Sequence, residues 1–388
     1  MLDAPYFISQ YNSLKATTLG NRYITNAHIE PLLNSLSKQF SQTILGVSEA
    51  GLPIHGLQIG RGSKRILIWS QMHGNESTTT KALFDLFSYF ELPDSKTLLE
   101  GCTLFIIPIL NPDGAEAYTR LNGNQIDLNR DAKALTQSES KILRTAYEDF
   151  KPHFCFNMHG QRTIFSAGNT HNSAVLSFLS PSENEERSLT VTRQKSMEII
   201  QVMNQALQPY LPNQIGRYDD GFNDNCVGDY FQSHGTPTIL FEAGHFPEDY
   251  KREETRKYMA LALISALDYV ATNPVSGDAY KPYFDIPENG KLFYDVIVRN
   301  ALLNPLTPKV FSDIGIQFTE VLVSGVVRFQ PKVAFIGDLN DKLGHLELDA
   351  NFKQVSHPDF EVLSEDYEID FITIELTKIS LFGNNNLI

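Results

Sequence analysis

Residues 65–90 read RILIWSQMHGNESTTTKALFDLFSYF, and the reading of that stretch decides the fold. Its first part, Arg65 to Gln71, is the kind of continuous apolar run that suits a strand covered on both faces. In its second part Leu83, Leu86, Phe87 and Phe90 recur at i, i+3, i+4 and i+7, directly after Ser77 to Thr80, a group rich in capping residue types. A strand therefore passes straight into a helix. Working outward, residues 102–110 (CTLFIIPIL), 153–158 (HFCFNM) and 236–242 (TPTILFE) read as further buried strands, and Leu57 to Ile59 as a shorter one before a Gly-Arg-Gly turn. Helical spacing predicts helices at about 138–149, 187–208 and 252–271, the last ending before Asn273-Pro274. The expected fold class is α/β, a mixed, mostly parallel twisted sheet flanked by helices, filling residues 1–274.

After Pro274 the helical period disappears. Gly, Pro and Asp punctuate the alternating runs FYDVIV (293–298), IQFTEVLV (316–323), KVAFIG (332–337), LGHLELD (343–349) and FITIELTKISLF (371–382). A small C-terminal β-rich domain over residues 275–388 is expected, large enough to own a core.

Composition narrows the partners. Among 388 residues, 32 Lys and Arg stand against 46 Asp and Glu, a net charge of −14 that speaks against holding a phosphate backbone, so no nucleic-acid partner is expected. The three cysteines, Cys102, Cys155 and Cys226, are odd in number and far apart, and the first two sit inside apolar runs, so they form neither a disulfide framework nor a zinc site. The N-terminus lacks the basic start and apolar core of a secretory signal, and no stretch is long and apolar enough to span a bilayer. A cytoplasmic protein without a membrane partner is the simplest reading. Oligomeric state is not legible.

Chemistry collects at the strand ends. His73-Gly74-Asn75-Glu76 falls where the first strand gives way to its helix, and ligands of open α/β sheets gather outside the carboxyl ends of the strands. An imidazole nitrogen and a carboxylate oxygen are ordinary zinc donors, and a catalytic zinc needs three protein ligands with one position left open. His159, at the end of the strand 154–158, is the best third ligand. Glu242 closes the strand Thr236 to Phe241, where a carboxylate can take a proton from an activated water and return it to a leaving group.

Asn111-Pro-Asp-Gly114, then Arg120-x-Asn122, then Asp127-Leu-Asn-Arg-Asp131 follow in order. With the His-x-x-Glu pair before them, a strand-end His and Glu after them, and Gly46-Val-Ser-Glu-Ala-Gly-Leu-Pro-Ile54 upstream, the arrangement resembles the zinc metallocarboxypeptidase family over roughly residues 20–270. The resemblance implies one zinc held by His73, Glu76 and His159, with Glu242 as general base and acid. It implies that Arg120 polarises the scissile carbonyl, that Asn129 and Arg130 grip a terminal carboxylate, and that Asp127 accepts the ring N–H of His73. A mobile tyrosine matches Tyr218 best, with Tyr230 as the alternative. Gln125 stands where the family commonly has glycine, and Asn157-Met158 where many bacterial members have an aspartate. The substrate implied is a peptide, or an acyl amino acid, with a free carboxylate. The runner-up is a zinc N-acyl amino acid deacylase of the aspartoacylase and succinylglutamate desuccinylase type; the NPDG motif, the R-x-N spacing and Tyr218 favour the peptidase. The side-chain pocket is expected from residues 221–229, where Asp224 and Asp229 would favour a basic terminal residue and Val227, at the pocket floor, an apolar one.

Overall fold

The structure is a computed structural model that describes residues 2–304 and 310–381. Eight strands make the main sheet: β1 (Ser41–Val47), β2 (Pro53–Gly60), β3 (Lys64–Trp69), β4 (Cys102–Ile107), β5 (Phe154–Gly160), β7 (Leu176–Leu179), β8 (Ile215–Arg217) and β9 (Thr238–Ala243). A short β6 (Phe165–Ala167) stands apart from them. The order across the sheet is β1-β2-β4-β3-β5-β9-β7-β8. The central pairs, β4 with β3, β3 with β5 and β5 with β9, run parallel, whereas β1–β2, β2–β4 and β9–β7 are antiparallel.

Strand alternation explains why both faces are covered. Ile66, Ile68 and Phe156 point into the larger core, which also takes the helices Thr78–Phe90, Val191–Leu207 and Glu253–Thr272. Leu67, Trp69 and Cys155 point the other way, against the helices Ser138–Phe150 and Val227–Ser233. Helices on both faces of a parallel centre leave the carboxyl ends of β3, β5 and β9 as the open rim.

Most expected elements are present with shifted ends. The first strand stops at Trp69 instead of Gln71, because Gln71 takes a positive φ of 44°. The strand 153–158 runs two residues further, so His159 is still in the ladder and pairs with Glu242. Two N-terminal helices, Ala4–Leu14 and Asn26–Ser35, were not legible in the apolar spacing; the first is held by Phe7, Tyr11 and Leu14 in the main core. Among the described residues no helix is long and apolar enough to cross a membrane.

Beyond Pro274, Tyr283 and Ile286 still belong to the main core, and β10 (Asn289–Lys291) pairs with β6. The strands β11 (Phe293–Leu302), β12 (Phe311–Val323), β13 (Val326–Gly337) and β14 (Leu343–Asp349) then form a second sheet in the order β13-β12-β11-β14. A third sheet contains β15 (Val355–Ser356), β16 (Phe371–Ile374) and β17 (Thr377–Ser380), and a separate apolar cluster, including Val298, Ile316, Val333 and Ile372, lies in these strands. The run 371–382 is thus a hairpin that turns at Glu375 (φ 54°), and its last residue, Phe382, lies outside the described residues.

Candidate active site

The turn after β3 carries His73 and Glu76, and its shape depends on a close approach of two backbones. A Cβ on Gly74 would lie 1.9 Å from the carbonyl carbon of Gly114. Only glycine lets the His73–Glu76 turn rest on the Asn111–Gly114 turn. Asn111 closes that second turn by accepting from the Gly114 amide at 2.8 Å.

His73, Glu76 and His159 converge. Nδ1 of His73 lies 3.0 Å from Oε1 of Glu76, and Nδ1 of His159 lies 3.0 Å from His73 Nδ1 and 2.9 Å from Glu76 Oε2. Both imidazoles are 2% exposed, so water does not separate these atoms. On its far side His73 Nε2 sits 3.0 Å from Asp127 Oδ1, which places the ring proton there and aims the Nδ1 lone pair at the cluster. Lone pairs of two imidazoles and a carboxylate meeting within about 3 Å repel one another unless a cation lies among them. Two nitrogens and one oxygen, spaced close to the ~3.3 Å expected between tetrahedral ligands at zinc bond lengths, are a donor set that fits zinc. It is the one group among the described residues with metal-ligand spacing.

The surrounding charges are ordered around that point. Burial pulls the Glu76 carboxyl upward, but the neighbouring imidazoles of His73 and His159 prevail and hold it well below the usual range. Glu242 goes the other way: burial, reinforced by the negative charge of Glu76, pushes its carboxyl well above that range, and its Oε2 is buried with no hydrogen-bond partner. Arg120 is 46% exposed in its side chain, with Nη2 3.0 Å and Nε 3.1 Å from Asp127 Oδ2 and Nη1 3.4 Å from Glu76 Oε1. Asp127 also caps the short turn Leu128–Arg130 by accepting from the Asn129 amide at 2.9 Å.

A cavity of about 460 Å³ opens over this cluster. Its walls include the expected metal-binding residues His73, Glu76 and His159, then Arg120, Asn129 and Arg130, then Tyr218 and Glu242, while Asp127 stands behind them. Arg130 donates to its neighbour Asn129's carbonyl at 2.7 Å and approaches Cys226 Sγ at 3.0 Å, leaving the guanidinium exposed on the cavity wall. Tyr218 packs edge-on against Phe165 in the same wall. Tyr230 does not reach the cavity; it stacks on His234 with Arg144 lying 3.9 Å above its ring.

The side-chain pocket corrects one expectation. Val227 does not form a pocket floor: its side chain is buried in the core beside Trp69 and Phe231, because the helix Val227–Ser233 turns it toward the sheet. Asp224 is exposed and paired with Lys133 at 2.5 Å. Asp229 alone of the three lines the cavity, where burial pushes its carboxyl up to about 7. Leu179, Pro181 and Leu240, which sequence spacing did not single out, supply the apolar wall. Arg252 was also missed: it is buried behind β9, takes φ 60°, and donates to the carbonyls of Ala243 (2.7 Å) and Gln161 (3.0 Å), tying the chain after Glu242 to the chain after His159. No local pattern marks such a residue.

A two-His, one-Glu cluster at the carboxyl rim of an α/β sheet is an arrangement that fits a metal ion. The chain belongs to the zinc carboxypeptidase family, whose family model matches residues 26–224. That stretch includes all the residues named above up to Tyr218 and ends before Glu242. The chain is similar to Carboxypeptidase SOL1 of Arabidopsis thaliana (25% identity over 180 residues, 40% of this chain and 37% of that protein). It is also similar to Carboxypeptidase 2 of Trichophyton rubrum (27% over 101 residues, 25% of this chain and 19% of that one). It thus spans well under half the length of these curated relatives. Among solved structures, a metallo-carboxypeptidase from Burkholderia cenocepacia shares the fold at TM-score 0.50 and 17% identity, covering 63% of this chain and 70% of that one. Carboxypeptidase A from Helicoverpa armigera does so at 0.50 and 16%, covering 68% and 81%.

Proposed function

We propose that the protein is a zinc-dependent carboxypeptidase, hydrolysing the peptide bond next to a free terminal carboxylate. The observation that supports this best is that one cavity holds the His73–Glu76–His159 cluster, the Glu242 carboxyl group with its unpartnered Oε2, and the exposed guanidiniums of Arg120 and Arg130. His73, Glu76 and His159 hold the one zinc. When bound, zinc polarises a carbonyl and makes a water acidic near neutral pH.

The chain's own residues do the rest. Arg130, with Asn129, grips the terminal carboxylate, since a planar guanidinium fork matches it bidentately. Arg120 donates to the oxygen of the scissile carbonyl as charge develops there. Glu242 takes the proton from the attacking water and passes it to the leaving amine. Tyr218 closes over the bound residue, and Asp229 makes the side-chain pocket favour a cationic terminal residue once it is ionised. The deacylase alternative has no finding in its favour.

The test is Glu242→Gln assayed on C-terminal peptides, free and amidated, and on N-acyl amino acids. The reading requires cleavage of free peptides by the parent and its loss in the variant with zinc retained. Turnover of acyl amino acids alone would replace the reading with the deacylase.

A further inference from the structure

Glu320 on the C-terminal sheet reaches two segments that flank the active site. Glu320 on β12 accepts from the Tyr118 hydroxyl and from Arg22 Nη2, the latter at 2.9 Å. Arg22 is 8% exposed, and Tyr118, Tyr250, Val327 and Phe329 form an apolar cluster around the pair. Side-chain exposures of 10% for Arg22 and 27% for Glu320 place the pair where water screens it only partly.

Both partners lead directly to the site. Tyr118 is held in the left-handed region at φ 54°, a conformation that a bulky residue keeps only where its surroundings impose it. The next carbonyl, of Thr119, accepts from the amide of Asn75 at 3.2 Å, between His73 and Glu76, and the following residue is Arg120. The Thr119 amide bonds back to Gly114 at 2.8 Å. On the other arm, the Arg22 carbonyl accepts from Ser77 Oγ at 2.5 Å, one residue after Glu76. Arg120's own side chain touches Glu76 and Asp127 and is otherwise largely exposed, so its position depends on the backbone that carries it.

We infer that Glu320 is a positioning residue: from the second sheet it clamps the Arg120-bearing segment 118–120 against the turn that carries His73 and Glu76. This rests on the proposed function for its catalytic consequence, but the clamp itself is a matter of geometry. It also gives the C-terminal strands a task at the site.

The experiment compares Glu320→Ala and Glu320→Gln with the parent, each loaded with zinc. Glu320→Ala should lower kcat about tenfold with KM within about twofold, because Arg120 acts on developing charge. Glu320→Gln, which keeps an acceptor for Tyr118, should lose less. In an Arg120→Ala background, Glu320→Ala should add less than about twofold, since the group it positions is gone. Amide hydrogen exchange supplies a readout independent of turnover: the Asn75 and Thr119 amides should exchange about tenfold faster in Glu320→Ala, with the amides of β3 and β5 unchanged. Unchanged exchange at Asn75 and Thr119 in folded Glu320→Ala would overturn the clamp. So would an undiminished loss of kcat in the Arg120→Ala background. A parent that binds zinc but cleaves no C-terminal peptide would end the functional reading, and the exchange data would still decide the clamp. If Glu320→Ala does not fold, Tyr118→Phe, which removes the hydroxyl that Glu320 accepts from, carries the same comparisons.

Discussion

Gly74→Ala tests whether the metal turn owes its shape to backbone contact. The added Cβ would stand 1.9 Å from Gly114 C and 2.1 Å from the Ala115 nitrogen, and real Cβ contacts essentially never fall below 3.0 Å. One of the two turns must therefore retreat by at least about 1.1 Å, and neither is a flexible side chain that can swing aside. Overpacking of this kind costs about 1–3 kcal/mol of stability. Its larger effect is local: His73 precedes and Glu76 follows the displaced residue, so both move relative to His159 on its own strand. A shift of that size should weaken zinc binding about 10- to 100-fold, the scale seen when groups that orient ligands are removed. The assay is zinc affinity by chelator competition together with thermal unfolding of the metal-free protein. Gly20→Ala is the control, because a Cβ there meets nothing within 4 Å. Zinc affinity within twofold of the parent and a melting temperature equal to that of Gly20→Ala would refute the contact argument.

Glu242→Gln should keep zinc and lower kcat at least about 100-fold, measured by metal analysis and steady-state kinetics. Arg130→Ala should raise KM for peptides with a free carboxylate and leave kcat nearly unchanged, while amidated peptides are cleaved no worse than by the parent. Asp229 has its carboxyl raised from 3.8 to about 7 by burial, so the fold opposes its ionisation and stability from this group is lost as pH rises from about 4 to about 7. The shift corresponds to roughly 4 kcal/mol at most; denaturant titrations should show Asp229→Asn gaining on the parent between pH 4 and 8, and the parent's preference for Lys or Arg termini should strengthen over the upper part of that range and vanish in the variant. Asp85→Asn should cost about 3–5 kcal/mol in urea unfolding, because Arg256 and Asp85 are both fully buried and the guanidinium would lose its carboxylate.

Much of the site was legible because its parts are local in sequence. The strand, turn and helix of residues 65–90 fall within one short stretch, and the Asn111–Gly114 and Asp127–Arg130 turns are defined by residues that bond to one another: Asn111 to the Gly114 amide, Asp127 to the Asn129 amide. Such patterns carry their own geometry. What was not legible depends on distant partners. Val227 follows the loop residues expected to line the pocket, yet helix phase sends it into the core. Arg252 acts across the sheet on Gln161, and nothing near position 252 marks it. The N-terminal helix was hidden because what fixes it is far away: the Tyr11 hydroxyl donates to Asp85 at 2.7 Å, and Asp85 pairs with Arg256 on the helix Glu253–Thr272.

The same distinction separates binding a metal from using it. His73, Glu76 and His159 need only two strand ends to meet, and the parallel register of β3 with β5 supplies that. Holding Arg120 and Glu242 at working distance demands more, because Glu242 sits near the end of β9 and Arg120 lies outside the sheet altogether. Glu242 is steadied by pairing with His159 across β5 and β9 and by Arg252 behind it. Arg120 has no strand. Its segment is bonded to Asn75 on one side and reached through Tyr118 by Glu320 on the other. The residue that the proposed function asks to meet developing charge is thus the one that the inferred clamp ties to a separate sheet, so damage to that sheet should show first in kcat, while metal affinity holds.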